Sequence, residues 1–311
     1  NIELIRGRRV SRIDTRAHTI IADDGATTKF SALLLATGSS PVHLPVPGAD
    51  LPTVHYLRTL NDSKAIIAAT QTGKRAVVIG ASFIGLEVAA SLRARDISVT
   101  VVAPEALPLE RILGAELGNM VKALHESKGV TFKLGANVKS ITSDAVQLAD
   151  GSSLPADFVV VGVGVRPDVA IAREAGINVD NGVVVSATLE TSTPGVFAAG
   201  DIASWPDPRS GRIRVEHWVV AQRQGQTAAL NMLGGQVKFD AVPFFWSQHY
   251  DVTINYAGHA QAWDELAIEG DIAGRDCALR YKSKGRLLAI ATINRDAESL
   301  MTEEAMERDA V

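Results

Sequence analysis

The stretch Val77-Val78-Ile79-Gly80-Ala81-Ser82-Phe83-Ile84-Gly85-Leu86-Glu87 decides the fold. The apolar run before Gly80 predicts a buried strand, and the apolar spacing after Ser82 predicts a helix. Gly80 permits the tight turn between them, and Gly85 lets the helix lie close to the strand. Because the start of such a helix offers backbone N–H groups to a pyrophosphate, the stretch indicates a dinucleotide site. A purely structural strand-to-helix turn is the alternative.

The stretch departs from the usual Gly-x-Gly-x-x-Gly pattern in two places. Ser82 occupies the middle position, where its small side chain is tolerable and its hydroxyl can donate to a phosphate. The pattern also requires an acidic residue about 20 positions later, for the ribose 2′-hydroxyl. Ala103 stands at that position, Glu105 follows two residues later, and Arg111 would favour a 2′-phosphate. The choice between NAD and NADP therefore stays open.

Strands and helices alternate on both sides of this stretch. Predicted helices span 61–70, 83–95, 115–128, 216–233 and 297–309, the first with Asn61 or Asp62 as its N-cap. Predicted strands span 10–14, 18–21, 33–36, 75–79, 97–102, 130–134, 138–142, 146–148, 158–163, 253–257, 266–269, 278–281 and 287–293. This alternation predicts an α/β fold with a parallel sheet, followed by a β-rich module.

Composition excludes several classes of protein. The 311 residues carry a net charge of −4, so there is no electrostatic footprint for nucleic acid. Cys277 is the single cysteine, which rules out an internal disulfide and a cysteine-based zinc or iron–sulfur site. The seven histidines have no metal-ligand spacing and are interpreted mostly as surface or loop residues. No apolar run approaches the ~18 residues of a membrane span. From these observations together we expect a cytoplasmic protein that holds no metal.

Three further motifs end a predicted buried strand at a glycine. They are Leu34-Leu35-Ala36-Thr37-Gly38-Ser39, Val161-Gly162-Val163-Gly164-Val165-Arg166-Pro167 and the run from Thr191 to Asp201. The carboxyl ends of strands are where α/β sheets bind ligands. Each motif alone could be an ordinary glycine at the end of a strand. The order of the motifs along the chain favours a ligand-binding role instead.

Taken in order, the motifs resemble a known family. The series Ala36-Thr37-Gly38, Leu57-Arg58-Thr59, Gly80 to Glu87, Gly162 to Pro167, and Thr193 to Asp201 is similar to the flavoprotein reductases of the pyridine nucleotide–disulfide oxidoreductase superfamily. The segments 214–225 and 245–248 are similar to its ferredoxin reductase branch, which includes putidaredoxin and rubredoxin reductases, and to the nearby apoptosis-inducing-factor-like proteins. The resemblance covers essentially the whole chain.

The resemblance implies two Rossmann-like dinucleotide-binding domains and a small C-terminal α+β domain. The implied FAD-binding domain is discontinuous, over 1–72 and 196–238, the NAD(P)-binding domain spans 73–195, and the C-terminal domain spans 239–311. The family opens with a Gly-x-Gly-x-x-Gly βαβ unit for FAD, and residues 1–32 contain no such motif. We therefore expect the first domain to be incomplete at its N-terminus. Because the βαβ unit would hold part of FAD, we also expect this chain to bind FAD poorly.

The resemblance also implies roles for individual residues. Those implied for FAD are Val10, Ala36, Thr37, Gly38, Arg58, Gly200, Asp201, Trp218 and Trp246. Those implied for NAD(P) are Gly80, Ser82, Phe83, Ile84, Gly85, Glu87, Glu105, Gly162, Val163 and Gly164. Those implied where nicotinamide would meet flavin are Glu87, Glu216, His217 and Trp218.

The implied activity is electron transfer from NAD(P)H through FAD to an external iron–sulfur protein, a ferredoxin or a Rieske-type protein. A homodimer is a further expectation, without nucleic acid or membrane partners. Without a cysteine pair, the disulfide-reducing branch of the superfamily is disfavoured. The alternative is a flavoprotein like the apoptosis-inducing factors, in which nucleotide binding would control association rather than rapid turnover.

Overall fold

The computed structural model describes residues 2–308. The helices are α1 Leu60–Thr72, α2 Phe83–Arg93, α3 Glu110–Ser127, α4 Ala170–Glu174, α5 Trp218–Met232 and α6 Asp296–Arg308. The first strands are β1 Val10–Asp14, β2 Thr19–Ala22, β3 Thr27–Lys29, β4 Leu33–Leu35, β5 Ser39–Pro41, β6 Val54–Tyr56, β7 Arg75–Ile79, β8 Ser98–Ala103, β9 Val130–Leu134, β10 Val138–Ile141, β11 Ala145–Leu148 and β12 Ser153–Pro155. The remaining strands are β13 Phe158–Val161, β14 Val165–Pro167, β15 Val183–Val184, β16 Val196–Ala198, β17 Ala203–Asp207, β18 Gly211–Ile213, β19 Phe244–His249, β20 Val252–Gly258, β21 Glu265–Asp271, β22 Asp276–Ser283 and β23 Arg286–Ile293. Asn1, and residue 309 of the predicted last helix, lie outside the described residues.

The chain divides into two compact units, each made of separate stretches of sequence. Unit 1 comprises Asn1–Ser39, Pro167–Phe245 and Glu303–Val311, and unit 2 comprises Ser40–Arg166 and Trp246–Thr302. Unit 2 thus holds residues 40–72, which the sequence analysis assigns to the FAD-binding domain, and most of 239–311. The three-domain division stays a prediction, because one compact unit can contain more than one domain.

The centre of unit 2 is a five-stranded parallel sheet in the order β6-β13-β7-β8-β9. Two of its three inner strands, β13 and β7, are almost continuously apolar. Val77, Val78 and Val160 are at most 1% exposed, as expected for a sheet covered on both faces. The predicted α/β class with a parallel sheet is confirmed, and most predicted elements agree with the structure to within two residues.

The starts of two helices differ from the predictions. Helix α1 begins at Leu60, and its N-cap is Thr59, whose hydroxyl accepts from the backbone N–H of Asp62 at 3.2 Å. Asp62 is the third helical residue and returns the bond to the N–H of Thr59 at 2.6 Å, so neither Asn61 nor Asp62 is the cap. Helix α3 begins five residues before the prediction because the segment before Gly114 is also helical, with a kink at Gly114 (φ 81°).

The kink in α3 is tied to a second sheet of unit 2. This antiparallel sheet runs in the order β19-β20-β23-β22-β21. Tyr281 on β22 is fully buried and donates its hydroxyl hydrogen to the carbonyl oxygen of Leu113 at 2.8 Å. That carbonyl directly precedes the kink, where the regular helical acceptor pattern is interrupted. The antiparallel sheet confirms the predicted C-terminal β-rich module. The Tyr281 hydrogen bond fixes this module to α3, which packs against the parallel sheet.

Unit 1 is built around the parallel pair β4 and β16. Leu33, Leu34 and Leu35 align with Val196, Phe197 and Ala198, so both strands end at the same edge. Antiparallel strands β1-β2-β3 form a separate sheet, and β15-β17-β18 form another. Trp205 on β17 is fully buried in the core of this unit. Only Leu35 of β4 is buried, and Leu33 and Leu34 are half-buried, so the prediction of a fully buried strand here is wrong.

Two histidines of unit 2 lie in its interior. His125 on α3 and His249 on β19 are both fully buried, and their ring nitrogens Nε2 and Nδ1 are 3.1 Å apart. The interpretation of the histidines as surface or loop residues is wrong for these two. Burial lowers the pKa of His249 to about 4. Burial, with a smaller effect of the neighbouring His249, lowers the pKa of His125 to about 3.

These shifts predict a loss of stability in mild acid. Each histidine is neutral in the folded protein, whereas the unfolded chain takes up its proton below pH 6.5. The free energy of unfolding should therefore fall as the pH drops through 6.5, by at most about 2 kcal/mol per histidine down to pH 5. Urea unfolding measured from pH 7 to pH 5 checks this.

A double variant, His125→Gln with His249→Gln, should lose less stability over that range than the wild type. The exposed His18 offers the control, because His18→Gln should leave the loss unchanged. An identical loss in the double variant would show that these two rings do not cause the pH dependence.

Candidate functional site

Three glycines interlock at the carboxyl edge of the parallel sheet. Gly80 follows β7 with φ 112°, and a Cβ on it would lie 2.3 Å from the carbonyl oxygen of Gly162, which follows β13. A Cβ on Gly85, in the first turn of α2, would lie 2.1 Å from the carbonyl oxygen of Gly80. Such distances leave no room for a side chain at either position. Two strand ends and the start of α2 therefore meet at backbone contact distance.

The start of α2 is directed to this edge. Ser82 is the N-cap, yet it makes no side-chain capping hydrogen bond. Its hydroxyl instead donates to the carbonyl oxygen of Gly162 at 3.1 Å. The hydroxyl therefore joins the start of α2 to the end of β13, and a hydrogen bond from it to a phosphate stays a prediction. The helix start, with its positive dipole end, is suited to an anionic ligand.

Apolar side chains flank the glycines. Ile84 on α2 is 38% exposed, and Val163 after β13 is 37% exposed. Gly164 has φ 103°, and a Cβ there would meet no atom within 4 Å, so the space beside it is open. An apolar, uncrowded surface next to a helix start fits a dinucleotide, whose rings need flat contacts and whose phosphates need N–H donors.

The end of β8 carries the residues expected to select the cofactor. Ala103 is 1% exposed and offers only its backbone, whose carbonyl accepts from Ala136 N–H at 3.0 Å. Glu105 is exposed, and its backbone carbonyl accepts from Gly135 N–H at 3.0 Å. The Glu105 side chain is therefore on a segment that the neighbouring loop holds in place. It is the acidic group nearest to the expected position in sequence.

Glu87 is the acidic residue of α2 that the sequence analysis selects. Its carboxyl is half-buried and accepts a hydrogen bond from the hydroxyl of Ser247 on β19 at 2.6 Å. Ser247 is 1% exposed. The second sheet of unit 2 thus fixes the orientation of the carboxyl. Sequence reasoning quoted Ser247 within a motif and gave it no role.

Unit 1 has a second glycine edge, where β4 and β16 end. Gly38 has φ 73° and Gly200 has φ 80°. Gly200 donates its N–H to Oε1 of Gln224 at 2.8 Å, and Gln224 lies fully buried on α5. Beside them, Ala36 and Thr37 are exposed, and the Thr37 hydroxyl donates to the carbonyl oxygen of Asp168 at 2.7 Å. Nε2 of Gln224 has no hydrogen-bond partner among the described residues.

An arginine links two of the selected residues of unit 1. The guanidinium of Arg214 donates to the backbone carbonyl oxygen of Asp201 at 3.0 Å and to Oε1 of Glu216 at 2.5 Å. The Arg214 side chain is only 9% exposed. It therefore ties the segment after β16 to the segment before α5. Sequence reasoning gave Arg214 no role. Its place in the segment 214–225 was the available signal, and that place does not show which groups the side chain bonds.

The start of α5 presents aromatic side chains. Trp218, the first residue of α5, is 71% exposed, which is unusual for so large an apolar group. His217 is the N-cap, and its ring centroid lies 4.5 Å from that of Phe245. A Cβ on Gly200 would lie 3.4 Å from Cβ of Ala221, so this helix start lies beside the Gly200 edge. An exposed ring beside a glycine edge fits a flat cofactor.

The remaining FAD candidates lie elsewhere. Val10 on β1 is 39% exposed in unit 1. Arg58 and Trp246 belong to unit 2, where Arg58 donates its backbone N–H to Asp62 Oδ2 at 3.0 Å and Trp246 is 44% exposed. Their approach to the same cofactor stays a prediction.

A cavity of about 470 Å³ lies at the opposite edge of the parallel sheet. Gly73, before β7, and Asp157, before β13, line it. Since parallel α/β sheets bind ligands at the carboxyl edge, the glycine edge is the better candidate.

Comparison with known proteins agrees with this geometry. Residues 1–225 match the family model described as pyridine nucleotide-disulphide oxidoreductase. The chain belongs to this family. Residues 244–311 match a second model, described as reductase C-terminal, so both models identify the chain as an oxidoreductase. The predicted resemblance is confirmed. The family implies use of FAD and NAD(P)H, and the two glycine edges, the open space at Gly164 and the exposed Trp218 fit such groups.

Two curated relatives illustrate the match. The ferredoxin–NAD(+) reductase component of an anthranilate 1,2-dioxygenase system from Burkholderia cepacia is 36% identical over 299 residues, which is 94% of this chain and 74% of that protein. Apoptosis-inducing factor 3 from Mus musculus is 33% identical over 95% of this chain, but the chain spans only 50% of that protein.

A solved structure gives the same result. In the covalent putidaredoxin reductase–putidaredoxin complex, the matched chain superposes with a TM-score of 0.95 at 32% identity, covering 99% of this chain and 76% of that one. The predicted fold class is confirmed. Among residues 2–308, none of the helices is long and apolar enough to span a membrane.

The interlocked glycines predict the effect of one added methyl group. Gly85→Ala would place a Cβ against the backbone oxygen of Gly80, so α2 must move away from β7. We expect a loss of about 1–3 kcal/mol in the free energy of unfolding and at least a tenfold weaker affinity for NAD(P)H. Calorimetric titration and urea unfolding measure the two effects.

Gly225→Ala is the matched control. Gly225 lies inside α5, and a Cβ there would meet no atom within 4 Å. That variant should be up to about 1 kcal/mol more stable and should bind NAD(P)H as the wild type does. Unchanged affinity in Gly85→Ala would remove the glycine edge as the nucleotide site.

Glu105 predicts the choice between cofactors. If its carboxylate lies beside the adenosine ribose, it repels the 2′-phosphate of NADPH. Glu105→Gln should then raise the relative affinity for NADPH over NADH several-fold, measured by competitive binding. Glu126→Gln, on the last turns of α3, should leave the ratio unchanged. The same ratio in both variants would exclude Glu105 from this role.

Proposed function

We propose that this protein passes electrons from NAD(P)H through FAD to a ferredoxin. The observation that carries the proposal is the match along nearly the whole chain to ferredoxin reductases, in sequence and in structure. A curated relative of this kind is the putidaredoxin reductase from Pseudomonas putida, 33% identical over 96% of this chain. The two glycine edges support the assignment, because a reductase of this type must hold two dinucleotides.

NAD(P)H would bind at the glycine edge of unit 2. The residues proposed to hold it are Gly80, Ser82, Phe83, Ile84, Gly85, Glu87, Glu105, Gly162, Val163 and Gly164. The close backbone packing of the glycines supports this, since it leaves the start of α2 accessible to a pyrophosphate.

FAD would bind mainly at the glycine edge of unit 1. The residues proposed to contact it are Val10, Ala36, Thr37, Gly38, Arg58, Gly200, Asp201, Trp218 and Trp246. The coincident ends of β4 and β16 and the exposed Trp218 support this placement. When bound, FAD supplies the chemistry that converts a two-electron donor into two one-electron transfers.

The protein side chains would position the reactants and control charge. Glu87, held by Ser247, would place a carboxyl beside the nicotinamide. Glu216, held by Arg214, would place a second one near the start of α5. His217 and Trp218 would form the surface on which the flat rings meet. The two carboxyls are held by hydrogen bonds, so they are preorganised before any ligand arrives.

The electron acceptor is proposed to be an iron–sulfur protein, either a ferredoxin or a Rieske-type protein. The putidaredoxin complex supports the ferredoxin, because there a reductase of the same fold is joined covalently to its partner putidaredoxin. We also retain a homodimer and a cytoplasmic location as proposals.

A second candidate rests on the similarity to apoptosis-inducing factor 3. In that case nucleotide binding would control association, and electron transfer would be slow. The chain spans half of that protein, compared with about three quarters of the ferredoxin reductases. The ferredoxin reductase is therefore favoured.

The two candidates predict different results in one experiment. Protein loaded with FAD is mixed with NADH and a [2Fe–2S] ferredoxin, and ferredoxin reduction is followed by absorbance. A reductase should turn over at about 1–10³ s⁻¹, whereas the alternative should show slow turnover and a NADH-dependent change of mass in light scattering. The same assay is repeated with ferricyanide as the acceptor. If the protein oxidises NADH with neither ferredoxin nor ferricyanide, the proposal is overturned.

A further inference from the structure

One asparagine of unit 1 directly precedes a glycine in a tight hairpin before β15. Among the asparagines of the chain, Asn181 is the one that glycine follows. An isolated antiparallel bridge between Val179 and Val183 closes this hairpin. The three residues between them are the hairpin tip, in which Asp180 donates its N–H to the carbonyl oxygen of Gly182 at 2.8 Å. The tip leads directly into β15.

Asn181 lies in solvent in a left-handed backbone conformation. Its φ is 43°, in a region that asparagine adopts more readily than most residues with a side chain. The residue is exposed, and its side-chain amide forms no hydrogen bond with another residue of the described range 2–308. No such bond therefore restrains the rotation of this amide, and water has access to it.

The next backbone nitrogen can attack this amide. Because glycine has no side chain, no Cβ shields the nitrogen of Gly182 from Asn181. In the reaction this nitrogen forms a bond to Cγ of Asn181, and the bond from Cγ to Nδ2 breaks. The amide nitrogen leaves as ammonia and takes with it the proton from the Gly182 nitrogen. The product is a cyclic imide that joins the two residues.

Water then opens the cyclic imide in one of two ways. Attack on the side-chain carbonyl restores the ordinary backbone and leaves an aspartate. Attack on the main-chain carbonyl breaks its bond to the Gly182 nitrogen and leaves an isoaspartate, whose backbone runs through Cβ and Cγ and is one atom longer. The net reaction consumes a water and releases an ammonia. Both products carry a carboxylate where Asn181 had a neutral amide.

Gly182 is packed where a longer backbone does not fit. It is buried, and a Cβ on it would lie 2.7 Å from the carbonyl oxygen of Ile202 and 2.8 Å from Cδ of Arg214. The guanidinium of Arg214 in turn bonds to the carbonyl oxygen of Asp201 and to the carboxyl of Glu216. An extra backbone atom in the hairpin tip must therefore displace Gly182 from Arg214 or break the bridge that closes the hairpin.

We propose that Asn181 is a modification site, at which loss of the amide through the cyclic imide yields isoaspartate and loosens Arg214. The reaction itself depends only on the hairpin tip and on water. Its effect on FAD binding rests on the proposed function, because Arg214 holds the segments that contain Asp201 and Glu216. The protein thus loses affinity for FAD as it ages, through a change at one defined residue.

The first test measures the modification without any cofactor. The full chain is kept at mildly alkaline pH and then digested with trypsin, which gives one peptide, residues 174–209, that contains both Asn178 and Asn181. Fragmentation mass spectrometry assigns the change from amide to carboxyl to one of the two. Asn181 should convert at least tenfold faster, with isoaspartate among the products, because Asn178 precedes the branched Val179. An intact Asn181, or equal conversion of both, would overturn the proposal.

Two variants check the source of the new charge. Asn181→Gly has no amide to lose and fits the positive φ without strain, so it should stay a single species on an anion-exchange column. Asn178→Gln leaves the hairpin tip unchanged and should age as the wild type does. If aged Asn181→Gly gives acidic species at the rate of the wild type, another residue is their source and the proposal is wrong.

The second test asks whether the modification loosens Arg214. Anion exchange separates the modified protein from the unmodified one, and hydrogen exchange of their backbone amides is compared. Residues 200–203 and 214–218 should exchange at least tenfold faster in the modified protein, because the bonds of Arg214 join these segments. Residues 158–161 of unit 2 are the internal control and should exchange equally in both. Equal exchange of the first two segments would show that Arg214 is not loosened.

A charge control separates the longer backbone from the new carboxylate. Freshly prepared Asn181→Asp carries the charge on an ordinary backbone and should exchange hydrogen as the unmodified protein does. FAD affinity, measured by quenching of flavin fluorescence, should fall at least fivefold in the modified protein and stay unchanged in Asn181→Asp. Equal affinity of the modified and unmodified proteins would overturn the link to FAD. If neither binds FAD, the proposed FAD site is wrong, and hydrogen exchange decides the effect on Arg214.

Discussion

The backbone contact among Gly80, Gly85 and Gly162 is the constraint on which unit 2 depends. A single methyl group at Gly85 would lie 2.1 Å from a carbonyl oxygen, so α2 can take its place only if that residue has no side chain. The position of α2 in turn sets where its N–H groups point and where Glu87 stands. Ser82, which bonds to Gly162 instead of capping its own helix, adds a third connection at the same point. The architecture of the candidate site thus follows from the absence of three Cβ atoms.

In each unit, distant parts of the chain complete the candidate site. The antiparallel sheet supplies Ser247, which orients Glu87, and Tyr281, which holds the kinked helix α3. In unit 1 the buried Gln224 holds Gly200, and Arg214 connects Asp201 to Glu216. In both units, a glycine edge gives access for a ligand and a buried polar side chain from another element gives rigidity. The contacts of Ser247, Tyr281 and Gln224 are partly or fully sheltered from water, which makes each of them stronger than an equal contact on the surface.

Sequence reasoning succeeded where the signal is local. A run of apolar residues ending at glycine predicts a strand and its end, so β7 and β13 were found with Gly80 and Gly162. The predicted start of α1 was wrong because Thr59 and Asp62 cap the helix together. Asp62 looks like an N-cap when it is considered alone, but here it is the third helical residue and bonds back to the N-cap Thr59. The pairing of His125 with His249 could not be predicted, because 124 residues separate them and neither has a neighbouring motif. Arg214 was missed for a similar reason: its value lies in joining two segments, and only the folded chain brings these together.

The pairing of β4 with β16 affects how the protein is made. Leu33–Leu35 leave the ribosome roughly 160 residues before Val196–Ala198, the strand with which they pair. At 5–20 residues per second, β4 must wait about 10–30 s for its neighbour. The parallel sheet of unit 2 is complete in the meantime, since its last strand ends at Val161. Until β16 is made, the short leucine strand β4 keeps an open hydrogen-bonding edge on the nascent chain, and such an edge can pair with another chain.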